Sequence, residues 1–505
     1  MPKRILNLES LTNHGNIEGR KIVAEIMEAG LSAADPYNNT TKLAKLEGTI
    51  LTFEGKIFEP PNDPHTGPAV FDLSKIDRVF VFGLGKGIQR ITKALEDILG
   101  DYLTGGHVLG KHSDEIIMER IGVTLGGHPT PDIYCVEGCR KIVEVIENAN
   151  FTENDLVITA IGNGIGSLCT YPVEEVPIDD VTEMVRLMQI EYGMPTSLIC
   201  HLRNNVDRLK GGRISRKIHP AKMVHLLGVS AAVTDDPNSA GYYTLLNTNV
   251  WLHTLADNTS AKRALEIIEE WDYKGKTPKS ILNYLKNFDE KNETVRLEEY
   301  ESFDARIFGV MPQQLAALPS AMDKAKELGY EPYILAKRLV CEASQAGLFI
   351  AHVARTVADG DSLFKPPCAL FSSGEVLVTC GENPGVGGRN QELSLSGATA
   401  LRGSKRIVMS AVDTDGTDGP GGEFHPDATE KGITVLTGGL VDGYLTKEAI
   451  EKKVDIADAL RTHSTSTALW ELDSGIAAVQ NISIGDLQCT IIMDHDGKTE
   501  VNSND

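Results

Sequence analysis

A chain of 505 residues is too long for one compact core and points to two domains, while 41% apolar and 24% charged residues mark it as globular. Its net charge of −22 excludes a general nucleic-acid role, because phosphate backbones need a basic face; a small anion held by a few local cations remains open. The opening MPKRILNLES lacks a signal peptide's apolar stretch, no apolar run suits a bilayer, and eight scattered Cys include no C-x-x-C, so we expect a cytoplasmic protein with reduced thiols and no thiolate metal site.

In chain order, GRKIVAEIMEAGLSAAD predicts a helix closed by Pro36, and residues 48–75 read as a short hairpin plus loop. RVFVFG is a buried strand, GLGKG a tight loop and IQRITKALEDILGDYL an amphipathic helix. Strands at HVLGK and GVTLGG follow, then the rigid loop GHPTPD and the helix VEGCRKIVEVIENA. DLVITAIGNGIG repeats the passage from apolar strand to glycine loop. A helix near 196–210 runs into KGGR, and MVHLLGVSAAV is a further buried strand. Such alternation implies a mostly parallel, doubly wound sheet.

Residues 258–310 read as a helical connecting region. A second α/β set comprises the helix PSAMDKAKELGY, the strand EPYILAK, the helix EASQAGLFIAHVARTVAD and adjacent strands ALFSSG and EVLVTC. The glycine loop GENPGVGG, the helix RNQELSLSGATAL and the strand KRIVMSAV follow, the last running into DTDGTDGPGG. A helix near 447–462, the strand LQCTIIM and a disordered tail complete the chain. The expected domains are therefore 1–257 and 311–505, with 258–310 between them.

Several constellations carry chemistry. Gly83-Leu84-Gly85-Lys86-Gly87 joins a strand to a helix and aims backbone N–H groups and a Lys at one point, which suits an anion; a plain tight turn is the alternative. It is neither a Walker A loop nor a dinucleotide fingerprint, since Ile88 takes the third glycine position. Gly387-Gly388-Arg389-Asn390-Gln391-Glu392 puts Arg389 at a helix start, where it can bridge phosphate oxygens while Asn390 and Glu392 add polar reach; a capped helix with an exposed Arg competes with this reading. In Asp413-Thr414-Asp415-Gly416-Thr417-Asp418, carboxylates at a strand end suit Mg²⁺ or form Asx turns. Lys210-Gly211-Gly212-Arg213, with Arg203 and Arg208 upstream, either clamps a substrate carboxylate or complements a helix end. His128 is fixed by two prolines and is either structural or catalytic. Glycine, Lys, Arg and Asp without a nucleophile elbow or zinc pattern resemble phosphoryl transfer.

The GxGK loop at Lys86, GHPTPD at 127–132, KGGR at 210–213, Gly374-Glu375, GGRNQE at 387–392 and TDGTDGP at 414–420 together resemble the glycerate 2-kinase family of the MOFRL type, some members of which are called hydroxypyruvate reductases. The similarity runs from about residue 35 to about residue 487. It implies an α/β fold of two domains, an N-terminal Rossmann-like doubly wound parallel sheet and a C-terminal MOFRL-type domain, with the active site in their cleft. It also implies ATP as donor, Mg²⁺ as cofactor and the 2-hydroxyl of D-glycerate or a related small hydroxy acid as acceptor. Lys86, Arg389 and Glu375 match catalytic positions. Gly83, Gly85, His128, Asn163, Gly164, Arg203, Lys210, Gly211, Gly212, Arg213, Gly387, Gly388, Asn390 and Glu392 are the expected substrate and nucleotide contacts. Asp235, Asp415 and Asp418 are the expected metal ligands, and Asp235 is also a candidate general base. The expected partners are the acid and the nucleotide, with no nucleic acid or membrane and with a homodimer as the candidate assembly.

Some family loops are rewritten. SGGGSAL appears as Gly162-Asn163-Gly164-Ile165-Gly166-Ser167-Leu168, SDV-x-GD as Ser230-Ala231-Ala232-Val233-Thr234-Asp235, and TGPTGTNVNDL as AAVQNISIGDL. These changes fit a shifted acceptor, or an alternative in which a small anion binds without being phosphorylated. An NAD(P)-dependent reductase fits the 83–88 glycine spacing poorly.

Overall fold

The computed structural model describes residues 3–112, 114–128, 130–231, 241–312, 315–380, 385–419, 435–479 and 485–494. Asp235 and the C-terminal tail lie outside them. The chain forms two compact units, one of Pro36–Gln313 and one that joins Met1–Asp35 to Gln314–Asp505.

The unit Pro36–Gln313 opens with the antiparallel strands β1 (Ala44–Glu47), β2 (Ile50–Phe53) and β3 (Ala69–Asp72), one strand more than the expected hairpin. Its main sheet contains β4 (Arg78–Leu84), β5 (Leu103–Lys111), β6 (Gly122–Gly126), β7 (Asp155–Ile161), β8 (Lys222–Leu227) and β9 (Ala305–Gly309). All neighbours are parallel, in the order β6-β5-β4-β7-β8-β9. The chain enters at the centre, winds outward through β6, then returns to β7 on the other flank. That reversal leaves a crevice beyond the carboxyl ends of β4 and β7. Every residue of β7 is buried, which requires cover on both faces and explains the unbroken apolar run DLVITAI. Arg78 and Asp155 face each other in register and pair in bidentate fashion at 2.7 and 2.8 Å, pinning the start of β4 to the start of β7.

Residues 258–310 are not a connector. Helix Ala261–Trp271 packs on helix Thr196–Asn205, and Ile267, Ile281 and Leu285 share a buried cluster with Ile199 and Leu202. The segment then supplies β9, the sheet's outer strand.

The other unit has a mixed sheet of β10 (Glu331–Leu339), β11 (Cys368–Gly374), β12 (Ile407–Asp413), β13 (Gly438–Asp442), β14 (Gly475–Ile476) and β15 (Asp486–Ile492), in the order β10-β11-β15-β12-β13-β14. Only β10 and β11 run parallel. EVLVTC, expected as a strand, leaves the sheet after Gly374 because the Val376 N–H donates to the Asp486 carboxylate at 3.0 Å. The helix expected near 447–462 is two helices, Leu445–Lys452 and Ile456–Arg461, broken where Lys453 takes φ +60°.

Residues 1–35, expected with the first domain, belong to this second unit. Helix Ile17–Ala33 packs on helix Ala317–Glu327 and across β12, β13 and β15. Arg20 is wholly buried; it pairs with Asp442 at the end of β13 and donates to Leu11 O at 3.1 Å and Ser474 Oγ at 3.2 Å. Arg4 adds a buried pair to Asp35 at 2.9 Å.

Removing one partner of a buried ion pair leaves the other charge uncompensated. Arg20→Ala is therefore expected to cost about 3–5 kcal/mol of unfolding free energy, whereas the apolar double variant Arg20→Met/Asp442→Leu costs clearly less. Urea unfolding followed by circular dichroism measures both.

Candidate functional site

In the unit Pro36–Gln313, the turns that follow β4 and β7 interlock. Gly85 has φ +135°, and a Cβ there would stand 2.6 Å from Gly162 Cα, so the two backbones meet where no side chain fits. The Lys86 N–H donates to Asn163 O at 2.7 Å, and the Gly162 N–H to Leu84 O at 2.8 Å. Lys86 is thereby carried to the second glycine turn: a Cβ on Gly164 would lie 3.0 Å from Lys86 Cγ and 2.8 Å from His128 Cδ2. His128 arrives from the loop after β6, whose Gly127 carbonyl accepts from Ser167 Oγ at 3.1 Å.

A cavity of about 470 Å³ opens here, lined by His128, Asn163, Gly164, Ile165, Gly166, Ser167, Gln189, Thr196, Ser197, Cys200, Arg203, Val250 and Trp251. It lies at the sheet's reversal point, where doubly wound folds hold ligands. Among the described residues no carboxylate lines it. Arg203, on helix Thr196–Asn205, is 5% exposed, and its Nη2 donates to Gln189 Oε1 at 2.9 Å. Its Nε is buried without a partner among the described residues, and burial pulls the guanidinium below its usual range. A guanidinium without a counter-charge in such a place favours an anion. Burial, reinforced by Lys86, Lys111 and Arg203, lowers the His128 ring to about 4, so it is uncharged at neutral pH. Burial lifts the Cys200 thiol to about 11, which makes it a poor nucleophile.

The KGGR motif has a different task. Lys210 is buried between Asp207 and Thr170, at 3.0 Å from each, and Arg213 donates to the carbonyls of Asn204, Lys210 and Asn292. Gly211 and Gly212 form the intervening left-handed turn, at φ +65° and +81°. None of these four residues lines the cavity; Arg203 alone of the expected basic cluster does. Gln189, Thr196, Ser197 and Trp251 were not singled out from the sequence. Gln189 sits in a π-helical turn, Arg186–Glu191, a geometry that no residue pattern announced.

In the other unit, Arg389 opens helix Arg389–Leu401 and is encircled by carboxylates. Its Nε reaches Asp486 at 2.9 and 3.1 Å, Nη2 reaches Asp413 at 2.7 Å and Nη1 reaches Glu375 at 3.3 Å. It is thus neither an exposed Arg nor a lone cation awaiting phosphate. Asp418, expected on a metal, instead caps the helix: Oδ1 accepts from the Asn390 N–H at 3.1 Å and Oδ2 from the Gln391 N–H at 2.9 Å. Full burial still lifts its carboxyl to about 6. Asn390 Nδ2 bridges Asp418 and Asp486, and Glu392 pairs with His463 at 2.8 Å. Asp415 makes an Asx turn onto Thr417 and abuts Asp413, whose carboxyl is raised well above the usual range by burial and by Asp415. Gly387 and Gly388 lead into this helix. Among the described residues no three His, Cys, Asp or Glu side chains are arranged to hold a metal.

Comparison with known proteins extends these observations. Residues 22–286 match the family described as a domain of unknown function, DUF4147, and residues 368–481 match the MOFRL family. The chain is 28% identical over 454 residues to the glycerate 2-kinase of Pyrococcus horikoshii, covering 89% of this chain and 92% of that one. It is 29% identical over 399 residues to the D-glycerate 2-kinase of Thermotoga maritima, covering 78% and 85%. A crystal structure of glycerate kinase from Thermotoga maritima superposes with a TM-score of 0.71 at 25% identity, covering 94% of this chain and all of that one.

The His128 ring, followed by NMR, is expected to titrate near 4, and to rise in Lys86→Met and in Arg203→Met as a cationic neighbour is lost. An unfolded chain binds that proton near 6.5, so the fold loses stability as pH falls from about 6.5 towards 4. A ring titrating at its ordinary value in the intact protein would separate His128 from the cationic cluster.

Proposed function

Because the chain belongs to the DUF4147 family and ends in a MOFRL domain, we propose that it is a cytoplasmic ATP-dependent kinase that phosphorylates the 2-hydroxyl of D-glycerate or a related small hydroxy acid. The observation that carries this reading is Arg203, a buried guanidinium with no carboxylate partner among the described residues, in a switch-point cavity that also holds His128. The glycerate kinases among its relatives supply the reaction class.

Phosphoryl transfer needs aligned reactants and neutralised charge more than covalent help from the protein. Arg203 would hold the acid's carboxylate. Lys86, beside Gly164, would stabilise charge on the moving phosphoryl group. The bond from the terminal phosphorus to its bridging oxygen breaks as the bond to the acceptor oxygen forms. His128, uncharged at neutral pH, would accept the hydroxyl proton.

Mg²⁺ commonly uses one or two protein carboxylates and completes its shell with phosphate oxygens and water. Asp413 and Asp415 fit that demand, in a cluster where carboxylates outnumber the single guanidinium of Arg389. When bound, the ion would neutralise charge on phosphate oxygens held at this cluster. Arg389 would then act by fixing Asp413 and Asp486 in place. That same occupied guanidinium favours the second reading, anion binding without transfer.

Coupled ADP release with ATP, Mg²⁺ and D-glycerate tests the proposal. Lys86→Ala and Arg389→Ala are each expected to lower kcat at least ~100-fold with the fold retained, and Arg203→Met to raise the KM for the acid. Near-normal turnover in the Lys86 and Arg389 variants would remove both from the mechanism. Acid binding without ADP release would establish the second reading.

A further inference from the structure

The cavity is large for a three-carbon acid. Such a molecule fills on the order of 100 Å³, at ~30 Å³ per water-sized portion, against about 470 Å³ here. The lining narrows the chemistry. Among the described residues the one permanent cation in its lining is Arg203, which matches a single carboxylate. The other polar lining residues near Arg203 are neutral hydroxyls and an amide. Gln189 accepts from Arg203 Nη2 at 2.9 Å and reaches Thr196 Oγ1 at 3.4 Å, so a polar wall runs from the guanidinium outward, with Ser197 beside it. Trp251 adds an apolar surface.

Access to the guanidinium depends on one small residue. A Cβ on Gly166 would come within 3.2 Å of Arg203 Nη1, so a larger side chain there would cover the cation from the cavity. Its Nε is buried and lacks a partner among the described residues, so the guanidinium is not fully satisfied by the protein around it.

We infer that this cavity is the acceptor's site and that it takes a hydroxy acid of four to six carbons, with its carboxylate on Arg203 and its hydroxyls along the Gln189–Thr196 wall. The word acceptor rests on the kinase reading above; the preference for longer acids is a statement about binding and is tested without nucleotide.

The full chain is titrated with D-glycerate, D-erythronate and D-gluconate, followed by tryptophan fluorescence and, independently, by calorimetry. A four- or six-carbon acid is expected to bind at least about tenfold more tightly than D-glycerate, as each added contact in a fitted pocket contributes on that scale. Erythritol and sorbitol, which lack the carboxylate, are expected not to bind. Arg203→Met, and Gly166→Val, which keeps the charge, are each expected to weaken the acid at least ~30-fold. Trp251→Phe is expected to remove the fluorescence change while the heat of binding persists. Tightest binding of D-glycerate would overturn the inference, as would undiminished acid binding in both the Arg203 and Gly166 variants. If no acid elicits ADP from ATP, the kinase reading fails while the ranking by chain length stands.

Discussion

Two glycines in van der Waals conflict with any side chain hold the first unit's chemistry together. The turn after β4 and the turn after β7 touch through Gly85 and Gly162, and each donates a backbone hydrogen bond towards the other strand's end. Parallel strands that start at the middle of a sheet and wind outward in opposite directions leave their central ends open. Here that opening is narrow at its base, because the backbones are in contact, and wide above it. Lys86, His128 and Arg203 come from three different segments, yet all stand beside the Gly162–Gly166 turn. The position of each is a consequence of the sheet's order.

The second unit solves the opposite electrostatic problem. Where the first buries Arg203 without a carboxylate partner among the described residues, this one gathers Asp413, Asp418 and Asp486 around one guanidinium, with Asp415 beside Asp413. Asp418 is spent on the backbone N–H groups of a helix start, and Asp486 on Arg389, Asn390 and the Val376 N–H. The carboxyl of Asp413 is raised by burial and by its acidic neighbours, and that of Asp486 by burial, which the single Arg offsets only in part. Both arrangements store unbalanced charge inside apolar scaffolds, where it is strongest.

Much of this was legible beforehand. Strand–glycine–helix punctuation located β4, β7 and β12 and the turns after them, because apolar runs ending in glycine have few other outcomes in an α/β chain. Lys86, His128, Asn163, Gly164 and Arg203, each named from its motif, stand beside one glycine turn. KGGR misled because a basic cluster reads alike whether it faces a ligand or, as for Lys210 and Arg213, an internal Asp and a ring of carbonyls. Gln189 and Trp251 were invisible because their positions come from a π-turn and a long-range packing arrangement, neither of which has a local signature. The membership of residues 1–35 in the later unit likewise comes from distant contacts, the packing of helix Ile17–Ala33 on helix Ala317–Glu327 and the pair of Arg20 with Asp442, that no periodicity encodes.

That last pairing shapes how the polypeptide is made. Helix Ile17–Ala33 leaves the ribosome long before its partner strands, which are translated more than three hundred residues later. Domains generally fold as units while synthesis proceeds. The middle unit can therefore close on itself while the leading helix still exposes its apolar stripe and Arg20. Completion of the sheet around β13 and β15 captures that waiting segment, so a helix made early is among the last parts to reach its place.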